Sequence, residues 1–213
     1  RRQRRRLFPE HGCRRGRPAH RHDRARSGLR AGQHGAFGWR RSGYSHVAQT
    51  ISELGEFGAP DSHYVGFGVF LPVGLATAAL AALHWRIRVA RGAAPAAALA
   101  ACIAVGYTVA AFFPCDPGAP LDGTTRTGIH NLGGAVEYLG GALSLFAIAA
   151  MRQPERRIYL AAAFITFATA IGVSAQEVAH VRGLIQRFGE VSLFASLALV
   201  TRSVTAAVAV GEQ

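Results

Sequence analysis

The stretch GIHNLGGAVEYLGG, residues 128–141, sets His130, Asn131 and Glu137 inside an otherwise apolar segment. An imidazole can ligate a metal or take a proton near neutral pH, and a carboxyl group in an apolar run can relay one. His130 and Glu137 are seven residues apart, so on a helix they share a face with about 10 Å of rise between them, too far for one metal ion to hold both. Asp116, fourteen residues before His130, offers a carboxylate that could orient the imidazole as base or ligand. Glu177 and His180 stand at i, i+3, a spacing that presents two metal ligands on one helical face. His46 and Glu53 lie in YSHVAQTISELG, and Arg187 in GLIQRFGE carries a guanidinium suited to a phosphate or carboxylate. Each group also has a structural reading: an interfacial histidine, a buried hydrogen-bonded Glu137, a Glu53 that caps or pairs with Arg187. Cys115 has no neighbouring histidine motif that would mark a nucleophile.

The elements that must carry these groups follow from where the apolar residues fall. Val65 to Leu83, Ala93 to Phe113 and Ile158 to Ala175 are long runs without a charge. Ile129 to Met151 and Leu184 to Thr201 are comparable, but hold the polar residues above and Arg187 and Glu190. Each run is about the length a helix needs to cross a ~30 Å hydrocarbon layer. Their Ala/Leu/Gly-rich continuity excludes alternating strands, and an open sheet leaves backbone groups unsatisfied in lipid. The expected fold is an all-α polytopic transmembrane bundle with five spans, at about 64–84, 93–113, 129–151, 158–177 and 184–206.

The net charge of +12 is confined to one end. Residues 1–43 hold fourteen arginines and two acidic residues, whereas residues 44–213 hold ten of each. Arginine without any lysine is the mark of GC-rich codons more than of phosphate contacts, and no apolar region follows Arg5-Arg6 as an export signal requires. The leader is therefore expected to be disordered or not native protein sequence, and no nucleic-acid partner is expected. Cys102 and Cys115 would be separated by about 20 Å of helical rise, which excludes a bridge between them.

Arginine-rich short loops stay in the cytoplasm. That assigns residues 84–92 and 152–157 to the cytoplasmic side and residues 44–63, 114–128 and 176–183 to the opposite one. A first helix in place of the leader would bring the count to six spans and put both termini inside.

Local signals refine this plan. In SHVAQTISELG, Val47, Ile51 and Leu54 recur at helical spacing, which predicts a short amphipathic helix on the membrane surface, with Gly55 as its left-handed cap. Pro114 and Pro117 bracket a tight turn that stops the preceding span, while Pro72 and Pro95 could kink theirs. Gly133, Gly134, Gly140 and Gly141 allow a neighbouring helix to approach Glu137 closely.

Taken together, YSH…ISELG…GAP after a first helix, FPCD closing a span, HN..G opening the next and GL.QR opening the last resemble the bacterial and archaeal membrane family called domain of unknown function 998. The resemblance covers residues 44 to about 202 and implies a six-helix integral membrane protein of unestablished activity. It departs from the pattern where the leader replaces the first helix. The polar motifs all fall at extracytoplasmic helix ends, which leads to a bacterial inner-membrane protein that binds a lipid or small molecule in an outward-facing polar pocket. His46, Glu53, Asp116, His130, Asn131, Glu137, Glu177 and Arg187 are the expected ligand-facing residues. The alternative is an interfacial hydrolase in which His46, Asp116, His130, Glu177 and His180 gather around a divalent metal, with His130, Asp116 and Glu137 as its catalytic candidates.

Overall fold

The computed structural model describes residues 41, 43–88 and 92–210, and most of these are helical with no strand among them. The expectations for the leader, residues 1–40 and 42, lie outside the described residues. Five long helices follow one another: α1 (Ser62–Arg86), α2 (Ala93–Phe112), α3 (Thr125–Met151), α4 (Arg156–Gly172) and α5 (Arg182–Val210). Among the described residues four segments, Ser62–Arg86, Ala93–Phe112, Thr125–Met151 and Gln176–Ala209, are long and apolar enough to cross a membrane. The chain is an all-α membrane bundle. α4 is shorter at 17 residues, about 25 Å of helix, because its expected extension to residue 177 stops at Gly172.

α2 occupies the middle, packed against α1, α3 and α5, while α4 lies between α3 and α5. Its sequence explains the position. Ala93, Ala96 and Ala100 are fully buried beside Leu99 and Ile103, and such small side chains let several helices approach one axis closely. Leu145, Ile148, Tyr159, Leu193, Leu197, Val200 and Val204 complete the core from the other helices. Leu75, Leu143, Phe164 and Val191 point outward and are exposed, as helices solvated by lipid tails require. Gly74 shows how tight the α1–α2 contact is: a Cβ there would meet Thr108 Oγ1 at 2.5 Å.

Pro72 and Pro95 act differently from a simple kink. Pro72 cannot donate to the backbone ladder, and the chain opens into a π turn over Gly66–Phe70 immediately before it. Pro95 falls in the first turn of α2, where no backbone donor is needed. A second π turn, Val136–Gly140, interrupts α3 at Glu137.

Residues 43–61 do not form the expected amphipathic helix. They make turns and one short 3-10 turn, Ser52–Gly55, and cap the helix ends. The reason is that Glu53 and Glu56, on the polar side of the supposed helix, are buried, while Val47 is exposed. Gly58, not Gly55, takes the left-handed conformation at φ +84°. Gly55 instead lies against Val65 and Phe70, where a Cβ would sit 3.2 and 3.1 Å from their side chains.

Candidate functional site

The cap is held down by arginines. Arg182, in the first turn of α5, forms an ion pair with buried Glu53 at 3.0 Å and donates to the Gly118 carbonyl at 2.7 Å. Glu53 also accepts from the amide and hydroxyl of Thr50 at 2.9 and 3.1 Å. Glu56 pairs with Arg41 at 2.6 Å and accepts from the Gly118 amide at 2.8 Å. Three segments distant in sequence, the cap, the α2–α3 loop and the foot of α5, therefore meet at one end of the bundle. Arg126 pairs with Asp116 at 2.6 Å and stacks over the Phe57 ring. Asp116 caps the start of α3 by accepting from the Thr124 amide at 2.7 Å. That bond, then those of Thr127 and Arg126, hold its carboxyl well below the usual carboxylate range. Burial, followed by the nearby Glu56 and Glu53, pushes the Cys115 thiol up to about 12; it stays an unreactive thiol at neutral pH.

Several predicted site residues are spent on this scaffold. Arg187 does not pair with Glu53; it donates to the carbonyls of His46, Gln49 and Gly183 at 2.7, 2.9 and 2.9 Å and to the Tyr44 hydroxyl at 2.8 Å. His46 Nδ1 lies 3.0 Å from the same guanidinium. His130 Nδ1 bonds the Phe113 carbonyl at 2.9 Å, so its orientation comes from backbone rather than from Asp116. Asn131 donates to the Pro120 carbonyl at 3.1 Å. Glu177 and His180 are exposed on the 3-10 turn Gln176–Val181, and Val178 leaves helical geometry between them, which removes the shared face on which the i, i+3 argument rested. Among the described residues no three His, Cys, Asp or Glu side chains form a group that could hold a metal ion.

Two cavities lie beneath the cap. The larger, about 330 Å³, is bounded by α3, α4, the foot of α5 and the loop at Ala119 and Leu121. Thr50, Ser52, His130, Asn131, Arg182 and Gln186 supply its polar groups. Leu139, Phe167, Ala170 and Ile171 supply apolar wall. From His130 to Leu139 the wall descends about 13 Å along α3, so the polar groups collect at the cap and the apolar ones below. Arg182 Nε is buried here without a hydrogen-bond partner. Of the residues predicted to face a ligand, only His130 and Asn131 line this cavity.

The smaller cavity, about 30 Å³, is lined by Glu137 and Glu190 with Tyr107, Gln186, Ser52, Ile51, Phe70, Gly106 and Ala110. Glu190 accepts from the hydroxyls of Tyr138 and Tyr107, at 2.5 and 2.9 Å. Glu137 Oε1 is buried with no partner at all. Gly106 makes the space: a Cβ at that position would collide with the Glu137 carboxyl group.

Sequence reasoning overlooked Arg182, Gln186, Tyr138 and Glu190. Arg182 lies in the short loop between the fourth and fifth expected spans, and Gln186 and Tyr138 carry no charge to flag. Glu190 did carry the signal used for Glu137, an ionisable group in an apolar run.

No curated protein and no solved structure matches the chain. A family model described as "Protein of unknown function (DUF998)" matches residues 34–203, most of the chain, taking in α1 to α4 and α5 as far as residue 203, and on that match the chain belongs to this family.

Proposed function

We propose that this multi-pass membrane protein holds an amphipathic small molecule of the lipid class in the larger cavity, head group at the cap and apolar portion between α3 and α4. The observation that carries the reading is the segregation of the lining: His130, Asn131, Arg182 and Gln186 at the rim, Leu139, Phe167 and Ala170 below. A mostly apolar wall with a few placed polar groups is the usual make-up of a small-molecule site. The guanidinium of Arg182 at the rim favours a head group that accepts hydrogen bonds. The arginines of residues 84–92 and 152–157 favour a cytoplasmic location for the opposite end, so the cavity opens on the extracytoplasmic side of a bacterial inner membrane. The metal-hydrolase alternative lacks comparable support, since His46 and Asp116 are taken up by arginines and His130 by a backbone carbonyl.

Gly134 provides the test. It lines the cavity, and a Cβ there would meet nothing within 4 Å, so the side chain of Gly134→Phe can leave the backbone without a clash and occupy the space. Gly128, on the same helix, is exposed and equally open but lies outside the cavity, and Gly128→Phe is the control. After reconstitution in phosphatidylethanolamine–phosphatidylglycerol vesicles and extraction, native mass spectrometry should find a retained lipid on the parent and on Gly128→Phe. Retention should fall roughly ten-fold in Gly134→Phe, the effect of about 1.4 kcal/mol of lost affinity. Equal retention in all three proteins removes the proposal.

A further inference from the structure

Two carboxyl groups inside a membrane bundle demand a physical account. The groups that face Glu137 and Glu190 come from every element around them: Tyr107 and Cys102 from α2, Tyr138 from α3, Gln186 from α5, and Ser52 from the cap. The Phe70 ring closes the side towards α1. None of these is a cation. Two neighbouring carboxylates without a counter-ion in low dielectric cannot both ionise, and a bound proton removes the conflict at least cost.

The hydrogen bonds divide the roles. Glu190 receives two phenolic donors, one on each oxygen, the pattern that stabilises a carboxylate. Glu137 receives none on Oε1, although that atom is buried and the side chain is 94% sequestered. A protonated Glu137 turns this orphan acceptor into a group able to donate. The adjoining cavity, about 30 Å³, exceeds the roughly 10–15 Å³ that one water requires, and it is polar enough to keep one. It also reaches Ile51 and Ser52 of the cap, so a proton leaving Glu137 as hydronium meets the rim of the bundle rather than lipid. The π turn Val136–Gly140 carries both Glu137 and Tyr138 into the interior side by side, and such turns recur where a helix presents unusual groups.

We propose that Glu137 and Glu190 form a proton-binding site that holds one exchangeable proton between two carboxyl groups beneath the cap. The site is separate from the larger cavity, yet Tyr138 lines that cavity and donates to Glu190, while Gln186 and Ser52 line both. The proposal stands whether or not the larger cavity holds a lipid.

Infrared spectroscopy of the full-length protein in detergent, in the carboxylic-acid C=O region at neutral pH, tests it. The parent should show the absorption of one protonated carboxyl group per chain, shifting in D₂O as the proton exchanges. Glu137→Gln and Glu190→Gln should each change the band, and the double variant should lack it. Glutamine matches glutamate in shape and carries no charge, so the double variant retains the packing. Should it nonetheless misfold, the parent spectrum still decides: no acid band, or the amplitude of two acids, overturns the proposal. A band that survives in the double variant overturns it as well. So does a band that appears only when sodium is replaced by a bulky organic cation, since a metal ion would then be the occupant.

Discussion

Asp116 shows how far a residue's chemistry can be read apart from its setting. Its type and its place before His130 suggested a carboxylate that orients an imidazole, but its bonds go to Thr124, Thr127 and Arg126. It is a helix cap and an ion-pair partner. Because its folded value is depressed, the stabilisation it contributes is present above the unfolded carboxylate range and is lost progressively as pH falls from there through the lower folded value. The melting temperature of the parent in detergent should therefore drop as pH is lowered from about 5 to about 3, and Asp116→Asn should flatten that slope. An identical slope in both proteins would place the acid sensitivity elsewhere. The same lesson holds for Glu53, whose partner is Arg182 and not Arg187. Both arginines are cations near one helix start and both reach the cap, Arg187 at the carbonyls of His46 and Gln49; only the tertiary arrangement decides that Arg182 is the one that meets the Glu53 carboxylate.

At the scale of elements, long apolar runs translated directly into helices, because a backbone in lipid has few other ways to satisfy its polar groups. The short elements did not. Val47, Ile51 and Leu54 have helical spacing, yet the segment that holds them follows the surface offered by the helix ends beneath it. Its backbone is bonded to its neighbours: the Leu184 amide donates to the Val47 carbonyl at 2.9 Å, and the Ile51 amide donates to Gln186. Gly183 permits this approach, since a Cβ there would run into the backbone of Gln49. Backbone cannot rotate away as a side chain can. Gly183→Ala should cost about 1–3 kcal/mol of stability, in the range of overpacked sites. It should also raise hydrogen exchange at the amides of Leu184 and Ile51 by roughly ten-fold or more as the cap lifts. Unchanged exchange at both amides would mean that the cap is held by its arginines alone.

For the whole molecule the governing fact is the solvent. Exposed Leu75, Leu143, Phe164 and Val191 ring a bundle whose polar loops gather at the ends, the arrangement lipid imposes. Val47 and Leu121 are exposed at the capped end, while Gln153 is exposed in the turn between α3 and α4 at the other. With the native cysteines replaced by serine, Val47→Cys and Leu121→Cys should react with a membrane-impermeant maleimide added to intact cells. Gln153→Cys should react only after the membrane is opened. The reverse pattern would invert the proposed orientation, and labelling of all three in intact cells would remove it. The sequence by itself determined that this is an all-helical membrane bundle and that its long apolar runs are helices. Those properties follow from composition along the chain, which hydrocarbon selects residue by residue. Only the tertiary structure decided that Arg182 rather than Arg187 holds Glu53, that His130 and Asn131 share a cavity from which Asp116 and Glu177 are absent, and that Glu190 stands with Glu137. Those pairings depend on how α3, α4 and α5 lean together and where the π turn Val136–Gly140 rotates α3, distances that no spacing along a single helix encodes.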